Sequence, residues 1–323
     1  DLPRFCHEFI NSNGALSGAD LNSLTELVHQ VGGDPSNLMA FCQQYLEIFN
    51  TGIHYSFIAS VIMMLISLAI FMKSKHLFPM PGKKKAVVNV EYTPEEKIAM
   101  AKEIRQRMYA LFAVLGIAVF FWFAFHQNGQ SLSFFARDFV KTDAIPPEIW
   151  QAVNPFFVIA LTPVIMAVFA HFTRIGHPIT TPRKIALGMG IEALGFLFLM
   201  VISLIHNYPS AETFTSLAPS IREPLKVGPW VLICTYFLLT IAELFISPLG
   251  LSFVSKVAPK HLQGLCQGLW LGATAVGNSL LWLGPLMYNK WPIWECWGVF
   301  LVVCAVSMGV MLGMVKWLER VTK

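Results

Sequence analysis

The 323 residues are 55% hydrophobic and 13% charged, with 23 basic and 19 acidic side chains and a formal net charge of +4. Soluble chains carry about 25% charged residues, so this composition excludes a soluble enzyme and indicates a membrane protein. The apolar residues form continuous runs of about 20 rather than alternating over about ten, which excludes a membrane β-barrel and predicts an all-α polytopic membrane protein.

The first segment, residues 1–52, is hydrophilic and carries two short amphipathic patterns separated by Gly32-Gly33-Asp34-Pro35. Glycine and proline in this arrangement are typical of a turn, so we predict a small helical hairpin. Cys6 and Cys42 share the segment. A disulfide between them is one interpretation and two separate thiols are the other.

Seven apolar runs follow, each long enough to cross a hydrocarbon layer of about 30 Å as a helix. They are approximately 53–72, 109–136, 150–172, 184–206, 229–254, 262–288 and 295–317. We predict one membrane helix at 53–72, a basic linker with an amphipathic surface helix at 73–108, a six-helix bundle at 109–317 and a short tail at 318–323.

The distribution of basic residues predicts the orientation. Of the 23 Lys and Arg residues, 17 fall in loops on the side that holds 73–108. The positive-inside rule therefore places residues 1–52 outside and the C-terminus in the cytoplasm. We expect a bacterial inner membrane or plasma membrane, with the basic clusters contacting membrane lipids and no nucleic acid. The odd number of runs indicates a piece of a longer polytopic chain.

Polar side chains inside a bilayer cost several kcal/mol unless they are paired or hydrated, so each is a functional candidate. In the run 109–136, His126, Gln130 and Ser133 are spaced to share one helix face. Helix-to-helix hydrogen bonding is the alternative role for polar residues here. We expect that alternative for Gln127 and Ser131, whereas both interpretations stay open for His126.

Two further candidates lie in the next runs. Asn154 precedes Pro155 near the start of a helix, where it can cap the helix, contact a ligand or do both. Glu192 has no cationic neighbour on its own helix, and either a structural contact or a proton site fits it.

Glu243 is the strongest candidate, because it falls near the middle of the run 229–254 and one turn before Ser247-Pro248. We expect the proline to interrupt the helix locally. An acid at bilayer depth beside an interrupted helix is typical of transporter sites for substrates and coupling ions. A structural ion pair is the alternative.

The run 262–288 contains a stripe of small residues, Gly264, Gly268 and Gly272, which predicts a close contact with another helix. Trp270 and Asn278 lie elsewhere on this helix. Each is a candidate for lining a cavity, and packing against lipid or core is the alternative for Trp270.

Four stretches together resemble a known family. They are Phe121 to Ser131 (FWFAFHQNGQS), Asn154-Pro155, Glu243 to Lys256 (ELFISPLGLSFVSK), and Gly268-Leu269-Trp270 with Gly277-Asn278. They are similar to helices seven, eight, ten and eleven of proton-coupled oligopeptide transporters, which belong to the major facilitator superfamily. The resemblance implies that 53–72 is helix six of twelve, followed by the C-terminal six-helix bundle.

The resemblance also implies a peptide site between two six-helix bundles that alternate in access. On this basis Glu243 and Asn154 hold the peptide amino terminus and Trp270 lines a side-chain pocket, and we group Ser247 and Asn278 with them as substrate-binding residues. The residues expected to act in gating or proton coupling are His126, Gln130, Glu192 and Glu243. His126 stands where the family usually has Asp or Glu.

The function expected from the resemblance is proton-coupled symport of di- and tripeptides, with H⁺ as the coupling ion, no metal or other cofactor, and no enzymatic activity. The expected partners are a small peptide, membrane lipids and an N-terminal transporter half. The alternatives are a transporter of another small solute, such as an amino acid or anion, and an inactive fragment. A membrane-embedded hydrolase is a further alternative, but the sequence shows no nucleophile or metal set at matching depth.

Overall fold

The computed structural model describes residues 2–16, 18–77, 94–142, 145–177, 179–259 and 262–321. Most of these residues are helical. The chain divides into two units, Asp1–Val90 and Glu91–Lys323. Residues 78–93, in the predicted basic linker, lie outside the described residues.

The described part of the first unit contains three helices. They are α1 (Leu2–Asn11), α2 (Gly18–Gln30) and α3 (Leu38–Ser74), with short 3₁₀ segments at Pro35–Asn37 and Lys75–Leu77. The predicted amphipathic patterns lie in α2 and at the start of α3, whereas α1 is an additional helix. Asn37 caps α3, since its side chain accepts a hydrogen bond from the Ala40 amide at 3.3 Å.

Asp34 fixes the turn between α2 and α3. Its carboxylate accepts hydrogen bonds from the Ser36 amide at 2.9 Å and from the Ser36 hydroxyl. These bonds favour the ionised form and hold the pKa of Asp34 below its ordinary value.

The helix α3 is continuous through the first predicted run. Its 37 residues span about 55 Å at 1.5 Å per residue, which exceeds the roughly 30 Å of hydrocarbon. The first 15 or so residues of α3 therefore extend beyond the apolar run. There they form a small core with α1 and α2, which contains Leu2, Phe5, Cys6, Phe9, Leu24, Val28, Cys42 and Leu46.

The second unit contains ten helices in its described part. They are α4 (Pro94–Phe125), α5 (Ser131–Phe139), α6 (Val153–Arg174), α7 (Thr181–Ile205), α8 (Ala211–Thr215), α9 (Pro219–Leu225), α10 (Trp230–Val257), α11 (Gln263–Ser279), α12 (Leu283–Lys290) and α13 (Ile293–Val321). Two 3₁₀ segments, His126–Gly129 and Pro147–Ala152, precede α5 and α6.

The helix α4 does not turn at the end of the predicted linker. It is continuous from Pro94 to Phe125, so the amphipathic stretch and the membrane run share one helix. The sequence explains this, because no glycine or proline occurs between Pro94 and Gly116.

Six stretches of the described chain are long and apolar enough to cross a membrane. They are Pro35–Leu77, Ala101–Phe139, Ile149–Arg174, Thr181–Ile205, Trp230–Val257 and Ile293–Val321. The predicted run 262–288 differs, because it consists of two helices, α11 and α12, rather than one. The chain turns at residues 280–282, and Pro285, in the first turn of α12, has no N–H to donate to the Leu281 carbonyl four residues earlier.

The core of the second unit is built by α7, which packs against α10 and α13, and by α4, which packs against α11 and α13. The helix α6 packs on α10 and contains no fully buried residue. Large aromatic side chains fill the centre, among them Phe121, Phe196, Trp297 and Phe300.

Candidate functional site

Asn154 and Glu243 are 89 residues apart in sequence and meet in the structure. The Asn154 Nδ2 atom donates a hydrogen bond to Glu243 Oε2 at 3.1 Å and another to Thr240 Oγ1 at 3.1 Å. We call Asn154, Thr240 and Glu243 the amide–carboxyl cluster. It joins the first turn of α6 to the middle of α10, at the depth where the sequence places Glu243.

The position of Asn154 separates the two roles that the sequence left open. The N-cap of α6 is Ala152, and no side chain caps this end of the helix. The amide of Asn154 points across to α10 instead. Asn154 therefore does not cap the helix by its side chain, and the ligand contact stays a prediction. A hydrogen bond from an amide to a carboxylate is of the stronger, charge-assisted kind.

Ser247 follows Glu243 by one turn and shares its side of α10, where it is half-buried. The expected local break at Pro248 is absent, since α10 runs unbroken from Trp230 to Val257. A proline inside a helix removes one backbone donor, and neighbouring helices allow the helix to continue.

Two residues that sequence reasoning missed extend the cluster along α10. The Thr240 hydroxyl donates to the Tyr236 carbonyl at 2.7 Å, and the Tyr236 hydroxyl donates to the Asn128 carbonyl at 3.2 Å. Thr240 lies three residues before Glu243 and so falls on the same helix face, which the spacing in the sequence could have indicated. Nothing in the sequence indicates the contact of Tyr236 with Asn128.

A second group surrounds His126, which begins the 3₁₀ segment after α4. Its ring stacks on Trp122, with centroids 5.0 Å apart, and it is a hydrogen-bonding neighbour of the Asn278 side chain on α11. Its Nδ1 atom is buried and has no hydrogen-bond partner among the described residues. We call Trp122, His126 and Asn278 the histidine cluster.

The predicted shared face of His126, Gln130 and Ser133 is not formed as expected. The chain is 3₁₀ over His126–Gly129 and leaves helical geometry at Gln130, so the i, i+4, i+7 register is lost. Glycine at position 129 favours this break. The Gln130 Oε1 atom is buried without a partner in the described structure, whereas Ser133 accepts a hydrogen bond from Gln151 Nε2 at 2.9 Å.

Gln127 bonds across to the segment between α11 and α12, as predicted, whereas the hydrogen bond of Ser131 is local, to Gln127 four residues earlier. Gln127 Nε2 donates to the Leu281 carbonyl at 3.2 Å, which also accepts from the Gly284 amide at 3.1 Å. The Ser131 hydroxyl donates to Gln127 Oε1 at 2.6 Å. Gly284 permits this approach, because a Cβ there would lie 2.1 Å from Gln127 Oε1.

Trp270 does not line an open pocket in this structure. Its side chain is 2% exposed and occupies the space beside Gly250 of α10, where a Cβ would lie 2.1 Å from the indole ring. The ring packs α11 against α10, and its role in a side-chain pocket stays a prediction. No atom of the described residues lies within 4 Å of a Cβ built at Gly264, Gly268 or Gly272, so the close contact predicted for the glycine stripe is not formed among them.

Glu192 lies apart from both clusters. It is fully buried on α7 and faces the Cys304 thiol of α13. Both of its carboxyl oxygens lack a hydrogen-bond partner with nitrogen or oxygen in the described part of the chain. No cationic side chain among the described residues forms an ion pair with it.

A cavity of about 530 Å³ between α7 and α13 contains none of the candidate residues. Its lining is Met200, Trp291, Trp294, Glu295, Gly298, Val299, Leu301, Val302 and Val303.

Comparison with known proteins decides the family. Residues 84–292, which make up more than half of the chain, match the POT family. The chain belongs to the POT family. POT family members are integral membrane transporters and not enzymes.

Two POT relatives illustrate the similarity. The chain is 32% identical over 243 residues to dipeptide and tripeptide permease B of Salmonella typhimurium, covering 70% of this chain and 46% of that protein. It is 31% identical over 237 residues to the protein of the same name in Shigella dysenteriae, covering 67% and 44%. The chain spans about half the length of these relatives.

Solved structures give the fold. A peptide transporter POT in complex with sulfate has a TM-score of 0.58 at 20% identity, with 95% of this chain and 55% of that chain covered. A POT family transporter in complex with a thioalcohol-conjugated peptide has a TM-score of 0.54 at 16% identity, with 95% and 56% covered. The fold is that of POT transporters of the major facilitator superfamily, so the predicted all-α membrane fold and the family resemblance are confirmed.

Proposed function

We propose that the chain is the C-terminal portion of a proton-coupled symporter of di- and tripeptides that works by alternating access. The observation that carries this proposal is the contact between Asn154 and Glu243 across α6 and α10. The names of the two permeases and the peptide complex of a structural relative support the substrate class.

The amide–carboxyl cluster has the chemistry to hold a peptide amino terminus. An ammonium group has hydrogen-bond donors only, and a carboxylate is its complement in both charge and hydrogen bonding. An arriving ammonium can donate to the Glu243 carboxylate and to the side-chain oxygen of Asn154, while Asn154 Nδ2 holds the carboxylate in place. A proton and an ammonium can each neutralise the Glu243 carboxylate, which gives a physical route for exchanging one for the other.

The histidine cluster is proposed to act in gating or proton coupling. His126 and Asn278 join the end of α4 to α11, so a change in charge on the imidazole would alter the contact between these two helices. Gln130 is included because it lies at the break that follows His126. Ser247 is assigned to substrate binding, since it shares the Glu243 side of α10.

The substrate path is proposed to lie between this bundle and an N-terminal transporter half. The chain spans 46% of the Salmonella typhimurium relative, and α6 has no fully buried residue. The remaining apolar faces are proposed to contact membrane lipids. No metal or organic cofactor enters the proposal, and H⁺ is the coupling ion.

The test is uptake of a labelled dipeptide by the full-length protein in liposomes under an inward proton gradient. We expect Glu243→Gln to abolish accumulation. We expect Asn154→Ala to reduce uptake about tenfold or more, since a hydrogen bond to a charged group contributes about 1.5–3 kcal/mol. Glu212→Gln, at an exposed position outside the clusters, is the matched control and should transport normally.

Unchanged accumulation by Glu243→Gln would contradict the proposed role of this residue. Competition with unlabelled solutes tests the substrate class. Excess unlabelled di- and tripeptides should suppress the signal, whereas suppression by free amino acids or small anions alone would favour the alternative substrate classes.

A further inference from the structure

Two cysteines meet in the core of the first unit. Cys6 lies on α1 and Cys42 near the start of α3, both are 0% exposed, and their thiols are hydrogen-bonding neighbours. Both thiols are free in the structure. The contact brings together two side chains that are 36 residues apart in sequence. The sequence alone left open whether they pair.

The surroundings of the pair favour a covalent link. The core that α1, α2 and the start of α3 share contains eight buried residues, and two of them are these cysteines. Small domains exposed to an oxidising compartment seldom bury enough apolar surface to be stable, and disulfides commonly stabilise them. Residues 1–90 contain no other cysteine, so no competing partner lies in this unit.

We propose that Cys6 and Cys42 form a structural disulfide that ties α1 to the outer end of α3. The proposal rests on the orientation predicted from the basic residues, which places residues 1–52 outside the cytoplasm. The two thiols lose two protons and two electrons to form the S–S bond. The disulfide of a thiol–disulfide oxidoreductase accepts them by exchange and becomes a dithiol.

The order of events follows from burial. Burial raises the pKa of the Cys6 thiol to about 12, and the adjacent Cys42 thiol adds to the shift. The thiolate is the reactive form, so the folded, reduced unit reacts slowly near pH 7 and faster as the pH rises towards 12. We therefore expect the bond to form before α1 packs against α3.

The test is differential alkylation of the full-length protein in cells quenched with acid. In wild type we expect Cys6 and Cys42 to resist alkylation until a reductant is added. Their two peptides should be recovered as one linked species, two hydrogens lighter than the sum of the two reduced peptides. In cells that lack the extracytoplasmic thiol oxidant, both thiols of the denatured protein should be alkylated without added reductant. Cys234→Ser, which changes an exposed cysteine on α10, is the control and should leave the link intact.

A second measurement covers variants that fail to fold. Cleavage by protease within residues 12–17 of the wild type should leave α1 attached until reduction, whereas Cys6→Ser should release it without reductant. Complete alkylation of Cys6 and Cys42 in oxidising cells would overturn the proposal, and so would a link to another chain. Neither readout depends on peptide uptake, so this inference can fail while the transport proposal stands.

Discussion

At the scale of single residues, the burial of the acidic side chain of Glu192 needs an explanation. It is fully buried, its hydrogen-bonding neighbour is the Cys304 thiol, and neither carboxyl oxygen has a nitrogen or oxygen partner in the described structure. Buried polar groups without partners cost about 1–3 kcal/mol each. A cost of this size argues against a stabilising role for Glu192, and the role in proton coupling expected from the sequence stays a prediction.

This leads to a prediction for Glu192→Met. The variant keeps side-chain volume and removes both unpartnered oxygens, so we expect the free energy of unfolding to rise by about 1–3 kcal/mol. Glu192→Ala leaves a cavity and should be less stable than Glu192→Met. Thermal unfolding of the detergent-solubilised protein measures both. Lower stability of the Met variant would show that the carboxyl has a stabilising partner, and loss of uptake in the same variant would support the proton-coupling role.

Sequence reasoning found the important polar residues but not all of their partners. Asn154 and Glu243 could be named because polar groups at bilayer depth are rare, and the resemblance pairs them. Their contact, and the contribution of Thr240, depends on how α6 crosses α10. Trp270 shows the limit, since its burial is decided by the space beside Gly250 on another helix.

At the scale of helices, α5 and α12 are joined by a buried polar contact. The Tyr288 hydroxyl donates to Asp138 Oδ2 at 3.1 Å, and Arg137 donates to both Asp138 oxygens at 2.8 and 3.1 Å. Asp138 is 6% exposed, so its carboxylate depends on these donors. The contact fixes two short helices that neither length nor propensity would stabilise alone.

We therefore predict that Tyr288→Phe lowers the free energy of unfolding by about 1–2 kcal/mol, because it removes one donor from a buried carboxylate. The measurement is the fraction of protein that stays monodisperse after heating in detergent. Tyr109→Phe is the matched control, since Tyr109 is 59% exposed and should be neutral. Equal stability of the Tyr288→Phe variant and the wild type would show that Arg137 alone satisfies Asp138.

The helix breaks were harder to predict than the helices. Seven apolar runs were recognisable from composition, yet the 3₁₀ segment at His126–Gly129 and the division between α11 and α12 were missed. Asn128-Gly129 and Pro285 carry the local signals. Pro248 carries a similar signal, yet α10 continues through it, so a proline alone does not predict a break.

At the scale of the whole molecule, the orientation is a prediction from 17 basic residues on one side. It can be measured with an epitope inserted between α1 and α2 and a fluorescent protein fused at the C-terminus. We expect antibody to reach the epitope on intact spheroplasts and the fused protein to fluoresce, as it does in the cytoplasm. An epitope reached only after permeabilisation would reverse the assigned orientation.

The unbroken course of α3 has a mechanical consequence. About 30 Å of its roughly 55 Å length matches the hydrocarbon layer, and about 25 Å emerges to carry the packing residues Cys42 and Leu46. No hinge separates the two parts, so the emergent part moves rigidly with the part of the helix in the hydrocarbon layer. A change of about 10° in the tilt of the helix would displace its emergent tip by about 4 Å, so small reorientations of the helix in lipid would become larger movements at that end.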